Sequence, residues 1–110
     1  MRRFGLVTRI KPGMLERYKK LHDEIWDDVV RIGHQHKMRN YSIFLDERTG
    51  LMFSYYEYAG VDYEGDFKKK NSTPIVKKWQ ETTRECFAPV DGTEAGVLQI
   101  LLLEIFHNDF

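Results

Sequence analysis

Apolar positions along this chain recur with two different periods, and each change of period marks a change of element. From Arg3 to Ile10 the sequence alternates, with Phe4, Leu6, Thr8 and Ile10 on one side and Arg3, Gly5, Val7 and Arg9 on the other. That period of two predicts a strand with one buried face. Lys11-Pro12-Gly13 reads as a turn. From Met14 to Ile32 the period becomes helical. Leu15, Tyr18, Leu21, His22, Ile25, Trp26, Val29 and Val30 share one broad stripe, while Lys19, Lys20, Asp23, Glu24, Asp27 and Arg31 fall outside it. Gly33 stands where a left-handed C-cap would end such a helix.

Lys37 to Asn40 leads into a second strand, Tyr41 to Leu45. A turn of hairpin length, Asp46 to Gly50, connects it to a third, Leu51 to Tyr58, rich in aromatic residues. In the polar stretch from Gly60 to Lys70, Tyr63 and Phe67 at i and i+4 predict a short helix packed by one edge. Ser72-Thr73-Pro74 is a helix start, a hydroxyl N-cap followed by proline at the first helical position. That helix runs to about Glu85, with Ile75, Val76, Trp79 and Thr83 on one side, and Phe87 to Gly92 follows as a loop. Val97 to Phe106 is a final strand whose near-continuous apolar character implies cover on both faces.

The resulting order is βαββαβ, the ferredoxin-like arrangement of an α+β domain, with helices on one face of an antiparallel sheet. At 110 residues the chain is long enough for one core and is read as a single domain, residues 1–110. The uncovered sheet face would carry Phe53, Tyr55 and Leu98. A second copy is expected to cover it, giving a homodimer, a dimeric α+β barrel.

Charge narrows the partners. Lysine plus arginine equals aspartate plus glutamate, 17 of each, and the signs are interspersed. A nucleic-acid partner would call for a basic face, so none is expected. No run of about 18 apolar residues predicts a membrane span, and Met1-Arg2-Arg3-Phe4-Gly5 lacks the apolar core of a secretory signal. The one cysteine, Cys86, allows no internal disulfide and suits a reducing cytoplasm; beside Phe87 it reads as a small buried hydrophobe. Aromatic residues reach 14%, which suits a pocket or interface that is part apolar and part wet.

The candidate chemistry centres on Tyr18, His22 and Trp26, spaced one helical turn apart. A histidine inside an apolar stripe is either a core residue with a buried hydrogen-bond partner or an acid/base group in a pocket, since histidine changes charge near neutral pH. Trp79 either fills the space between helix and sheet or offers a flat indole to a sugar ring or another flat ligand. At the opening of the second strand, Asn40 and Ser42 would face one way and Tyr41 and Ile43 the other. Asn40 and Trp26 are both candidates to line a pocket. His34 and His36, two apart at a helix end, do not make a metal site. The lysines at 68–70 and at 77–78 form a local basic cluster, a solvated surface or the mouth of a pocket. No Gly-rich phosphate loop or serine-nucleophile motif is present.

Together these residues resemble the L-rhamnose mutarotases, small cytoplasmic sugar epimerases, over nearly the whole chain. The resemblance rests on the first strand and Pro12, on Glu16-x-Tyr18-x-x-x-His22-x-x-Ile25-Trp26, on Asn40-Tyr41-Ser42-Ile43-Phe44-Leu45-Asp46, and on the Trp79 helix. It implies a dimeric enzyme that interconverts the α and β anomers of L-rhamnose or a related deoxyhexose without a cofactor. It further implies His22 as proton donor, with Tyr18, Tyr41 and the Lys78-Trp79 pair meeting the sugar. Where the family has two consecutive tryptophans, this chain has Lys78 and Trp79, which exchanges apolar wall for an ammonium with up to three donors. The resemblance therefore names the class of sugar and not the sugar. Two other readings share the fold: a cofactor-free monooxygenase-like enzyme of the dimeric α+β barrel type, and a non-catalytic small-ligand-binding module.

Overall fold

A computed structural model describes residues 1–110. Strand β1 (Arg2–Ile10) lies at the centre of an antiparallel sheet. On one side it pairs with β3 (Leu51–Tyr58), which pairs in turn with β2 (Met38–Asp46). The helices are α1 (Leu15–Asp23), α2 (Asp27–Gln35), α3 (Tyr63–Ser72) and α4 (Pro74–Arg84). None is long and apolar enough to cross a membrane.

The expected ferredoxin-like order holds, with differences at four places. The helix expected from Met14 to Ile32 is two helices, broken over Glu24, Ile25 and Trp26. Asp27 and Asp28 occupy the first turn of α2, where carboxylates interact favourably with the positive end of a helix dipole. The same acidic residues near the end of one long helix would gain nothing comparable. Gly33 is not the C-cap either, since it lies within α2, which runs on to Gln35. Lys37 instead takes the left-handed conformation, φ 71°, and the His36 imidazole meets the Ile32 carbonyl at 2.8 Å. The hydroxyl N-cap of α4 is corrected in detail. Thr73 stands at the cap position ahead of Pro74, yet its hydroxyl donates back to the Lys69 carbonyl of α3 at 3.2 Å.

The last difference concerns the final strand. Only Gln99–Leu102 (β5) is strand, pairing with Gly5–Thr8, and Phe87–Ala88 (β4), expected as loop, pairs with Arg9 and Ile10 on the same edge. The edge beside β1 is thus one strand interrupted by an excursion. Arg9 anchors the excursion by donating to the Val90 carbonyl at 2.9 Å and 3.2 Å. Full cover of an apolar strand from Val97 to Phe106 is not supplied by this chain, since Leu101, Leu103, Ile105 and Phe106 are exposed.

The buried face of the sheet is the one toward the helices. Phe4, Thr8 and Ile10 of β1 and Met52, Ser54, Tyr56 and Tyr58 of β3 are buried there. At one end Ile10 and Met52 pack with Tyr18 of α1 and with Cys86, which is fully buried. At the other, Phe4, Tyr56 and Tyr58 pack against Tyr63 of α3. Between these two clusters lie the polar side chains of Thr8 and Ser54, and around them the candidate site is arranged.

Candidate active site

Helix α1 places Tyr18 and His22 on its inner face one turn apart, and their rings meet at 4.3 Å between centroids. The His22 Nδ1 sits 2.9 Å from the Tyr18 carbonyl oxygen. A carbonyl only accepts, so Nδ1 is the protonated nitrogen in this bond. Nε2 is left as the nitrogen that can take or give a proton. This is a local consequence of the helix, and it sets the tautomer before any tertiary contact is made.

Helix α4 supplies the second side. Trp79 is buried, with its indole edge-on to His22 at 5.2 Å and to Trp26 at 5.2 Å. Trp26 reaches it because of the break between α1 and α2. At the N-cap of α2 it has extended geometry, φ −65° and ψ 130°, which carries its ring out of the α1 stripe and across to α4. Lys78 is exposed on α4, its Nζ 5.8 Å above the Trp26 ring, a cation–π placement at the rim.

The sheet supplies the third side through a bulge. Between Arg39 and Ser42 the register slips, so that Asn40 and Tyr41 together oppose Tyr56. Asn40 adopts φ 51°, a left-handed conformation that asparagine tolerates better than most residues. The extra residue reverses the alternation that Met38 and Arg39 begin and turns Tyr41 inward. Its ring stacks on Tyr56 at 5.7 Å with an interplanar angle of 5°. Asn40 itself is not brought into the cluster: its side-chain amide donates to Glu57, opposite Arg3 on the outer face of the sheet.

The phenols converge. Burial pushes the pKa of Tyr18 well up, and Tyr41 adds to the effect. Tyr41 is exposed as a whole residue, yet burial raises its phenol pKa too, opposed by its contact with Ser54. Tyr56 is raised by burial and by its hydrogen bond with Tyr63, whose oxygen is 2.6 Å away. At neutral pH these tyrosines are uncharged hydroxyls, able both to donate and to accept. Hydroxyl tips beside indole faces and one imidazole make a lining suited to a ring-shaped polyol.

Tyr56 and Tyr63 were not singled out from the sequence as site residues. The signal available for Tyr63 was its spacing with Phe67, which continues to Lys70 on the same face of α3. Open surface depressions exist elsewhere. One of about 560 Å³ lies between the β1–α1 turn and the β2–β3 turn and contains none of the candidate residues. Another of about 450 Å³ borders only Trp26 among them. The converging side chains define the site.

The chain is similar to known proteins along nearly its whole length. The sequence profile of the L-rhamnose mutarotase family matches residues 3–108. The L-rhamnose mutarotase of Oceanobacillus iheyensis is 33% identical over 111 residues, covering 99% of this chain and 100% of that protein. The crystal structure of an L-rhamnose mutarotase from Formosa agariphila superimposes with a TM-score of 0.77 at 24% identity, covering 99% of this chain and 100% of that one. An antibiotic biosynthesis monooxygenase shares the fold with a TM-score of 0.59 at 13% identity, over 94% of this chain and 97% of that one. At such identities the two structures speak to fold alone.

Proposed function

This chain belongs to the L-rhamnose mutarotase family, and from that premise we propose that residues 1–110 form one catalytic domain interconverting the α and β anomers of L-rhamnose or a related hexose. The observation that carries the assignment of His22 is its hydrogen bond to the Tyr18 carbonyl, which leaves Nε2 as the free ring nitrogen among Tyr18 and Trp79.

Anomer exchange requires a proton delivered to the ring oxygen and the proton of the anomeric hydroxyl removed. The bond between C1 and the ring oxygen then breaks, giving the open aldehyde. Rotation about the C1–C2 bond and closure on the other face of the carbonyl yield the second anomer. His22, protonated at both ring nitrogens, delivers the Nε2 proton to the ring oxygen and recovers it on closure, a role suited to a residue type that titrates near neutral pH. A water molecule takes the anomeric hydroxyl proton and returns it. Tyr18 and Tyr41 orient sugar hydroxyls as neutral donors and acceptors. Trp79 packs on the apolar face of the ring with Trp26 behind it, and Lys78 closes the rim.

The outer sheet face supports a homodimer. Phe44, Phe53, Ile100 and Leu102 point to that side around buried Val7, and all four are exposed in the single chain. A contiguous apolar surface of this kind is unusual on a monomer, and a second sheet packed face to face would bury it. We place the enzyme in the cytoplasm, where a lone buried cysteine stays reduced.

Saturation-transfer NMR on an equilibrated sugar measures anomer exchange directly. His22→Ala is expected to remove nearly all of the enzyme-dependent exchange while the circular dichroism spectrum stays native. Full exchange in that variant would refute the assignment of His22.

A further inference from the structure

The phenols of Tyr55, Tyr56, Tyr58 and Tyr63 are each paired with another side chain, and the buried Thr83 hydroxyl donates to the Gln80 carbonyl at 3.2 Å. Four hydroxyls on the inner face of the sheet behave differently. Those of Thr8, Tyr18, Tyr41 and Ser54 make no close hydrogen bond to any group of the protein. Thr8 and Ser54 are buried residues, 3% and 8% exposed. Yet no polar side-chain atom of a buried residue is both sealed from solvent and unpaired, so their oxygens open on accessible space.

Ser54 stands at the centre of this group. Its neighbours on the same face of β3 are Met52, packed with Tyr18, and Tyr56, stacked on Tyr41 at 5.7 Å. Each is one pleat away, about 7 Å along the strand, so Ser54 is set on the sheet between the two tyrosines. Its hydroxyl bears on the Tyr41 phenol, opposing the rise that burial gives that phenol's pKa. Tyr41 in turn acts on the Tyr18 phenol, and Tyr18 stacks on His22 at 4.3 Å. Thr8, diagonal to Ser54 across the pairing of β1 with β3, adds a second hydroxyl beside it.

A serine hydroxyl has one proton to give and two lone pairs to fill. The Tyr41 phenol meets at most one of these, and a buried hydroxyl left without partners is unfavourable. An apolar side chain, like that of Met52 one pleat away, carries no such cost. We infer that Ser54 is a further substrate-binding residue of the mutarotase site, its hydroxyl hydrogen-bonded to a hydroxyl of the sugar held between Tyr18 and Tyr41. Sugar hydroxyls both donate and accept, so they complete what the protein leaves open. The contact is the same before and during ring opening. It therefore strengthens binding without taking part in proton transfer. This inference rests on the mutarotase reading and extends the sugar contacts from the helices and the β2 bulge to the floor of the sheet.

Saturation-transfer NMR on L-rhamnose over a range of concentrations separates KM from kcat, and urea unfolding of the same full-length proteins measures their stability. Ser54→Ala is expected to raise KM about five- to tenfold and to leave kcat within about twofold of wild type. It is also expected to be no less stable than wild type, because the hydroxyl removed leaves no protein group unpaired. An unchanged KM in Ser54→Ala overturns the inference and leaves the mutarotase reading standing. So does a variant that loses stability and kcat together, which would make the role of Ser54 structural. Absence of catalysed exchange in the wild type overturns the mutarotase reading, and the inference with it.

Discussion

Lys70→Met should make the protein more stable, and the gain should depend on pH in a defined way. The side chain keeps most of its apolar stem in methionine and loses only the ammonium. In the folded protein burial lowers the ammonium pKa from 10.5 to about 8. Each tenfold weakening of proton binding is worth about 1.4 kcal/mol, so the buried charge costs on the order of 3 kcal/mol below pH 8. Residual access to solvent reduces this, and about 1–3 kcal/mol is the expected stabilisation at pH 7. The sign follows from proton binding. Between pH 8 and 10.5 the unfolded chain holds more of this proton than the folded one, so wild-type stability rises with pH through that window. Methionine has no proton to lose. Its advantage is therefore full below pH 8, shrinks across the window and disappears above pH 10.5. Urea unfolding of both proteins at pH 7 and pH 11, at one fixed protein concentration, measures the difference, and the general effects of alkali cancel in it. A variant no more stable than wild type at pH 7, or one with equal gain at both pH values, would show that the ammonium is not desolvated.

Two further outcomes follow from the bulge and the open sheet face. At Asn40, φ 51° is tolerated by glycine and resisted by a β-branched residue. Asn40→Gly should stay within about 0.5 kcal/mol of wild type in urea unfolding, and Asn40→Val should lose about 1–2 kcal/mol. Equal stability of the two would mean that the backbone at the bulge is not left-handed. Phe44→Glu combined with Phe53→Glu places charges on the apolar outer face. Sedimentation should show the wild type as a dimer and the variant as a monomer, and an unaltered dimer would move the interface elsewhere.

Much of this protein was legible in its sequence because the information was local. The alternation in Arg3–Ile10 assigns the inner face of that strand, as burial of Phe4, Thr8 and Ile10 confirms. Tyr18 and His22 meet because residues four apart on a helix must, and Trp79 is inward because its neighbours Val76 and Thr83 are. The short helix with Tyr63 and Phe67 formed as its spacing predicts.

What the sequence left undetermined depends on contacts between elements distant along the chain. Periodicity continues smoothly through Glu24, Ile25 and Trp26, so nothing in it reveals that the helix breaks there and swings Trp26 onto Trp79. The bulge at Asn40 is a mismatch between two strands, and a mismatch exists only once β2 and β3 are paired; yet it decides that Tyr41 faces the site. The final strand shows the opposite case. Its apolar run was plain, but pairing with β1 admits only Gln99–Leu102, and the rest lacks cover in a single chain. In the sequence Lys70 is one of a local basic cluster, a solvated surface or the mouth of a pocket. Only the packing of α3 against the sheet distinguishes it, by drawing one ammonium out of water beside Phe67 and leaving it without an acceptor.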